Sequence, residues 1–212
     1  MDWSRVFYDL LHAESEAIVL QVLKRFSLLN DPNAWQPLGN LENNFAIVGN
    51  QQTDPTGALV EKIINGIDAN LMAASYTAGL DPESTEAPAT MVEAVERFFH
   101  VKHGRLGDLG SKQLTNLALA IHLVAVGKKD DPCYLIIDKG EGQTPSSFPE
   151  TFLSLAKSNK LRIPFVQGKF NAGGTGVLQF CGRENFQLIA SRRHPNRLRK
   201  NGMLTPDGTE NG

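Results

Sequence analysis

Apolar positions recur at helical spacing in four stretches of the chain, and short apolar runs bounded by glycine and proline lie between them. Residues 3–29 read as helix, in one piece or two. Val6, Phe7, Leu10 and Leu11 form one stripe, and Ser15 is placed to cap a second helix carrying Ile18, Val19, Val22, Leu23 and Phe26. A loop over 30–44 leads to a short strand at Phe45 to Gly49. A long helix is predicted over about 56–75, capped by Asp54 or Thr56 and buried through Leu59, Ile63, Ile64, Ile67 and Leu71. Pro82, Pro88 and several acidic residues make 79–90 a surface loop.

Helical spacing resumes over 91–99 and is broken at Gly104, Gly107 and Gly110. Ser111 then caps a helix running through Leu114, Leu117, Ala118, Ile121 and Val124. The continuous apolar run from Cys133 to Ile137 predicts a strand buried on both faces and ending at Asp138. A short helix is expected over 152–156, a glycine-dense loop over 168–176 with a helix starting at Val177, and an alternating strand over 186–191. No internal repeat is visible.

The chemistry begins on the long helix. Glu61, Asn65 and Asp68 stand at i, i+4 and i+7, so one face carries a carboxylate, an amide and a second carboxylate. Their neighbours are apolar, and polar groups beside a core cost stability unless something polar meets them. A second motif, Asp138-Lys-Gly-Glu-Gly142, follows the Cys133 strand. A carboxylate at a strand terminus points into the crevice beyond the sheet edge, and Gly140 and Gly142 let the backbone turn sharply and come close to a flat ligand. The third motif, from Gly168 and Lys169 through Gly173, Gly174 and Thr175 to Gly176, offers consecutive backbone N–H groups suited to phosphate. It is not a P-loop, because no lysine stands before Thr175, and not a dinucleotide fingerprint, because Gln179 occupies the place of the last glycine.

The order of these three motifs resembles that of the GHKL ATPases, the superfamily of the gyrase B subunit, MutL, the ninety-kilodalton heat-shock chaperones, MORC proteins and sensor histidine kinases. The resemblance covers about 45–195 and extends to Ser158-Asn-Lys160, which is similar to the mobile lid of these enzymes. It implies an α+β, Bergerat-type two-layer sandwich with helices on one face of a mixed, mostly antiparallel sheet. The expected organisation is a helical extension at 1–44, an ATP-binding domain at 45–200 and a loop or tail at 201–212. The turn-rich tail, and the lack of a later phosphate-sensing Lys or Arg and of closing strands, suggest the front part of a longer polypeptide.

By motif position the resemblance implies that Glu61 is the general base and that Asn65 supplies an oxygen to Mg²⁺. Asp138 accepts from the adenine amino group, Gly142 faces the base, and Gly140 lets the loop approach it. Gly168, Gly173, Gly174, Thr175 and Gly176 line the phosphates. Asp68 positions a water or caps polar contacts, and Lys160 and Lys169 are candidates for phosphate contact, with a solvated Lys160 the plainer reading. The implied ligands are ATP and Mg²⁺, and the implied partner is a second copy or larger assembly formed on nucleotide binding, with residues 1–29 reaching across. The glycine loop and Ser-Asn-Lys element look closest to bacterial GHKL proteins, some in anti-phage defence.

Composition narrows this without redirecting it. A chain of 212 residues with 41% apolar content can build one domain and its core, and a net charge of −2 argues against a general polyanion binder. Cys133 and Cys181 make no disulfide framework and read as reduced thiols, and neither a membrane span nor a secretion signal is present, so a cytoplasmic location is expected. His100 and His103 read as surface residues rather than a metal pair. The basic run from Arg192 to Lys200 reads as a charged hairpin loop rather than a nucleic-acid contact. Two other functions stay open: a non-catalytic nucleotide-binding scaffold and a histidine-kinase-type phosphotransferase. Asp68-Ala69 disfavours the second, as does the lack of an upstream phosphoacceptor other than His12.

Overall fold

The structure, a computed structural model, describes residues 1–38, 53–151, 160–168 and 175–193. The expected strand at 45–49 and short helix at 152–156 lie outside the described residues. Two helices open the chain, α1 (Trp3–Leu11) and α2 (Glu16–Arg25). Asp2 caps the first by accepting from the Arg5 N–H, and Ser15 caps the second by accepting from the Ile18 N–H. Val6, Val19, Leu23 and Leu28 form a small core between them, joined by Phe186 from far along the chain. Trp3, Phe7 and Leu11, at i, i+4 and i+8 on α1, remain exposed.

The next helix, α3 (Pro55–Thr77), is the longest and the scaffold of the molecule. Asp54 caps it with both carboxylate oxygens, accepting from Thr56 N–H at 3.1 Å and Gly57 N–H at 2.9 Å. Its C-terminal half is buried in the main core, where Leu71, Met72 and Tyr76 meet Ala94, Ile163, Phe165 and Val166. Ala94 belongs to α4 (Met91–Phe99), which Thr90 caps and which ends at His100 in the left-handed region. Phe98 meets Phe165 edge-on at 6.2 Å between ring centroids.

The chain then departs from the expected course. Helix α5 (Ser111–Ala118) begins at Ser111 rather than being capped by it, and ends before Ile121 and Val124. Those two residues belong to β1 (Ile121–Lys128), which pairs antiparallel with β2 (Asp131–Asp138) across a two-residue turn. Leu117, Ala118, Ile121 and Val124 fit helical spacing, but the partner run at 133–137 offers a ladder that a helix would leave unpaired. β2 is present where expected, yet it is not buried on both faces: Tyr134 is 59% and Ile137 49% exposed. Among the described residues the sheet has these two strands alone. Residues 186–190 form no strand, and the helix expected from Val177 is a single 3₁₀ turn, Leu178–Phe180.

The result is a mixed helix-and-strand fold in which α3 packs on the hairpin and on α4. The α1–α2 pair is tied to its own chain. The Glu16 carboxylate accepts from Arg183 N–H at 3.0 Å and Glu184 N–H at 2.7 Å, and Phe186 is packed into the α1–α2 core. No helix among the described residues is long and apolar enough to cross a membrane.

Candidate functional site

Two segments far apart in sequence, the loop after β2 and 160–168, meet α3, and a third, 191–193, meets the first of them. The first contact is made by Gly140. A β-carbon there would lie 2.6 Å from the Ala69 carbonyl carbon, so only glycine lets the loop after β2 rest on the helix. The adjacent Glu141 N–H donates to the Ala69 carbonyl at 3.0 Å, fixing the loop to helix backbone. Asp138, at the end of β2, accepts from Gly140 N–H through Oδ1 at 2.8 Å, an Asx-type turn that orients its carboxylate. The Asp138 side chain stays exposed, with its Cβ 3.5 Å from where a β-carbon on Gly66 would stand.

The second contact involves Asp68, which is 0% exposed. Its Oδ1 accepts from Gln167 N–H at 2.9 Å and its Oδ2 from Gly168 N–H at 2.7 Å. The Lys160 ammonium stands 3.6 Å from the same Oδ2, with its side chain 21% exposed. The carboxylate therefore sits in a small nest of backbone donors with a cation beside it. This gives Asp68 a structural role that its spacing alone left undefined: it pins segment 160–168 to α3. It also places Lys160 against a carboxylate rather than in solvent. Asn65, one turn earlier, completes the contact, since a β-carbon on Gly168 would lie 2.8 Å from Asn65 Oδ1.

Glu61 lies a further turn toward the helix N-terminus and is half-buried. Beside it, burial pushes the Lys62 ammonium down to about 8, an effect that Cys181 and Glu61 partly oppose. Both cysteines are free and partly buried, and burial raises both thiols, which favours the neutral form. Thr175 and Gly176 are buried, whereas Lys169, Gly173 and Gly174 lie outside the described residues. His100 and His103 are exposed.

The third contact comes from the end of the described chain. Ser191 Oγ accepts from Gln143 N–H at 2.8 Å. Arg193 Nη1 donates to Glu141 Oε2 at 3.0 Å and to the Gly142 carbonyl at 2.7 Å, while Nη2 donates to Gln143 Oε1 at 3.2 Å. Gly142 has φ +61°, and a β-carbon there would lie 2.6 Å from the Arg192 carbonyl carbon. The Cα of Gly142 thus faces chain rather than an open ligand face. Arg193 belongs to the basic run expected as a charged hairpin loop, and its side chain is only 14% exposed.

Sequence reasoning gave Lys62, Glu141 and Arg193 no role at the site, and the partners of Glu141 and Arg193 are set by loops that no periodicity connects. Among the described residues no group of three His, Cys, Asp or Glu side chains could hold a metal ion. Comparison with family models, with curated proteins and with solved structures gives no match.

Proposed function

We propose that the chain is a Mg²⁺-dependent ATP-binding and ATP-hydrolysing domain of GHKL type, with a Bergerat sandwich, that switches conformation or assembles on binding nucleotide. The observation that carries the reading is the convergence on α3. Gly140 rests on Ala69 and Gly168 rests on Asn65, so the second motif and the start of the third flank the helix that bears Glu61. Three unrelated surface motifs have no reason to share one helix face, whereas a nucleotide site needs a base contact, a metal ligand and phosphate donors together.

In this reading Asp138 accepts from the purine amino group through the oxygen not engaged by Gly140. Asn65 would hold Mg²⁺, which supplies charge neutralisation at the phosphates. Glu61 orients the attacking water. As the new oxygen–phosphorus bond forms and the bond to the β–γ bridging oxygen breaks, Glu61 takes the proton of the water and ADP leaves. Backbone donors around Thr175 and Gly176 meet the phosphates. The exposed Trp3, Phe7 and Leu11 stripe supports assembly through α1, in which case residues 1–29 contact the second copy while staying docked on their own chain.

Steady-state phosphate release and calorimetric titration test the proposal together. Glu61→Ala is expected to bind Mg-ATP normally and to hydrolyse it about 10²–10⁴-fold more slowly. Asp138→Asn is expected to lose binding. Unchanged turnover in the first variant removes Glu61 from the mechanism, and normal affinity in the second removes the purine contact. Light scattering with and without a non-hydrolysable ATP analogue tests assembly, and an unchanged mass overturns that part.

A further inference from the structure

We infer that Arg193 is a positioning residue for purine recognition, holding the loop after β2 in the shape that presents Asp138 to the base. This rests on the nucleotide reading above and goes beyond it, because no motif assigns Arg193 a task.

The loop over 138–143 is held at several points. Gly140 and Glu141 fix one stretch to Ala69 of α3. Arg193 fixes the next by binding a side chain, a backbone carbonyl and a second side chain at Glu141, Gly142 and Gln143. Ser191 adds a fourth bond at Gln143 N–H. Glu141 is 7% exposed and Arg193's side chain 14%, so water competes weakly for these bonds. A guanidinium is suited to this task, since its planar fork serves several acceptors at once, which an ammonium does less well. Asp138 is itself exposed, and among the described residues its carboxylate is hydrogen-bonded to Gly140 alone. Its direction therefore depends on how firmly the residues just after it are held, and Arg193 touches three of them in a row.

The consequence is selective. Loosening 141–143 disturbs the presentation of Asp138 to a purine while leaving Glu61, Asn65 and Gly168 seated on α3. Contacts to the base weaken and contacts to the phosphates do not. A merely structural role would weaken both together and lower turnover with them.

The test compares Mg-ATP with magnesium tripolyphosphate, which has the phosphates and no base, by titration on the full chain. For Arg193→Ala we expect ATP affinity to fall by about 10–100-fold while tripolyphosphate affinity stays within about twofold. Arg193→Lys should recover part of the ATP preference, and in steady state the loss should appear in KM more than in kcat. Glu141→Gln, which keeps the side-chain shape, is the second variant should Arg193→Ala fold poorly, and it should shift the ATP preference in the same direction by a smaller factor. If the unaltered chain binds ATP and these variants keep its preference over tripolyphosphate, Arg193 has no positioning role. If the unaltered chain binds no ATP, the nucleotide reading itself falls, and this inference with it.

Discussion

Asp68 and Arg193 solve one problem with opposite charges. Each pins a loop beside the candidate site, yet Asp68 does so from within a helix and Arg193 from an irregular segment. Asp68 offers a carboxylate, so it collects donors: the N–H groups of Gln167 and Gly168 and the ammonium of Lys160. Arg193 offers five N–H donors, so it collects acceptors: a carboxylate, an amide oxygen and a backbone carbonyl. The anion sits in a rigid frame and is fully buried, whereas the cation reaches across two loops and retains some exposure. A buried charge on a scaffold stabilises the fold through its partners and leaves a large penalty when removed. A charge joining two loops chiefly sets their mutual position.

The sharpest way to break this contrast is Asp68→Ala. It leaves the Gln167 and Gly168 N–H groups and a partly buried ammonium without their buried acceptor, and we expect a loss of about 3–5 kcal/mol in urea unfolding. Arg193→Ala should cost less, about 1–3 kcal/mol, because water can reach part of the vacated site. Equal losses would erase the distinction between fold-holding and position-holding.

Gly140→Ala probes the helix-side anchor that works alongside Arg193. Its β-carbon meets Ala69 backbone, which cannot step aside, so about 1–3 kcal/mol should be lost. Ala69→Gly should restore only a part, since the carbonyl carbon 2.6 Å away remains. Full recovery in thermal melts would mean that the side chain alone set the fit. Gly168→Ala meets the end of the Asn65 side chain, which can rotate, and at 3.1 Å the buried Asp68 Oδ2, which has less freedom, and should cost about 1 kcal/mol.

Lys62 sharpens the comparison from a third side, as a cation on α3 that burial disfavours. Its pKa is lowered to about 8 from the ordinary 10.5. Between those values the unfolded chain binds more protons than the folded one, so stability should rise with pH across that window. Below about pH 8 the cost of burying the charge is present in full. We expect the rise to be about 1–2 kcal/mol and Lys62→Met to flatten it. A pH-independent urea midpoint in the unaltered chain from pH 7.5 to 10 would show that the ammonium is well solvated.

Helices α1 to α4 were legible because each is a local pattern opened by a local cap, at Asp2, Ser15, Asp54 and Thr90. α4 matches its expected bounds, and α3 runs one residue earlier and two later than periodicity suggested, starting at the Asp54 cap. The sequence also placed Glu61, Asn65 and Asp68 on one face and marked the Asp138 loop and the start of the glycine-rich segment as companions. What failed was decided by partners distant along the chain. Ile121 and Val124 suit helix or strand, and only the 133–137 run opposite them selects the strand. Residues 186–190 alternate like a strand, yet Phe186 is taken into the α1–α2 core and Ser191 into the Gln143 contact. By itself, then, the sequence determined which side chains share a helix face, since 3.6 residues per turn needs no partner. Tertiary structure alone decided what the side chains hold, because a charge such as buried Asp68 or part-buried Arg193 takes the donors or acceptors that folding brings within reach.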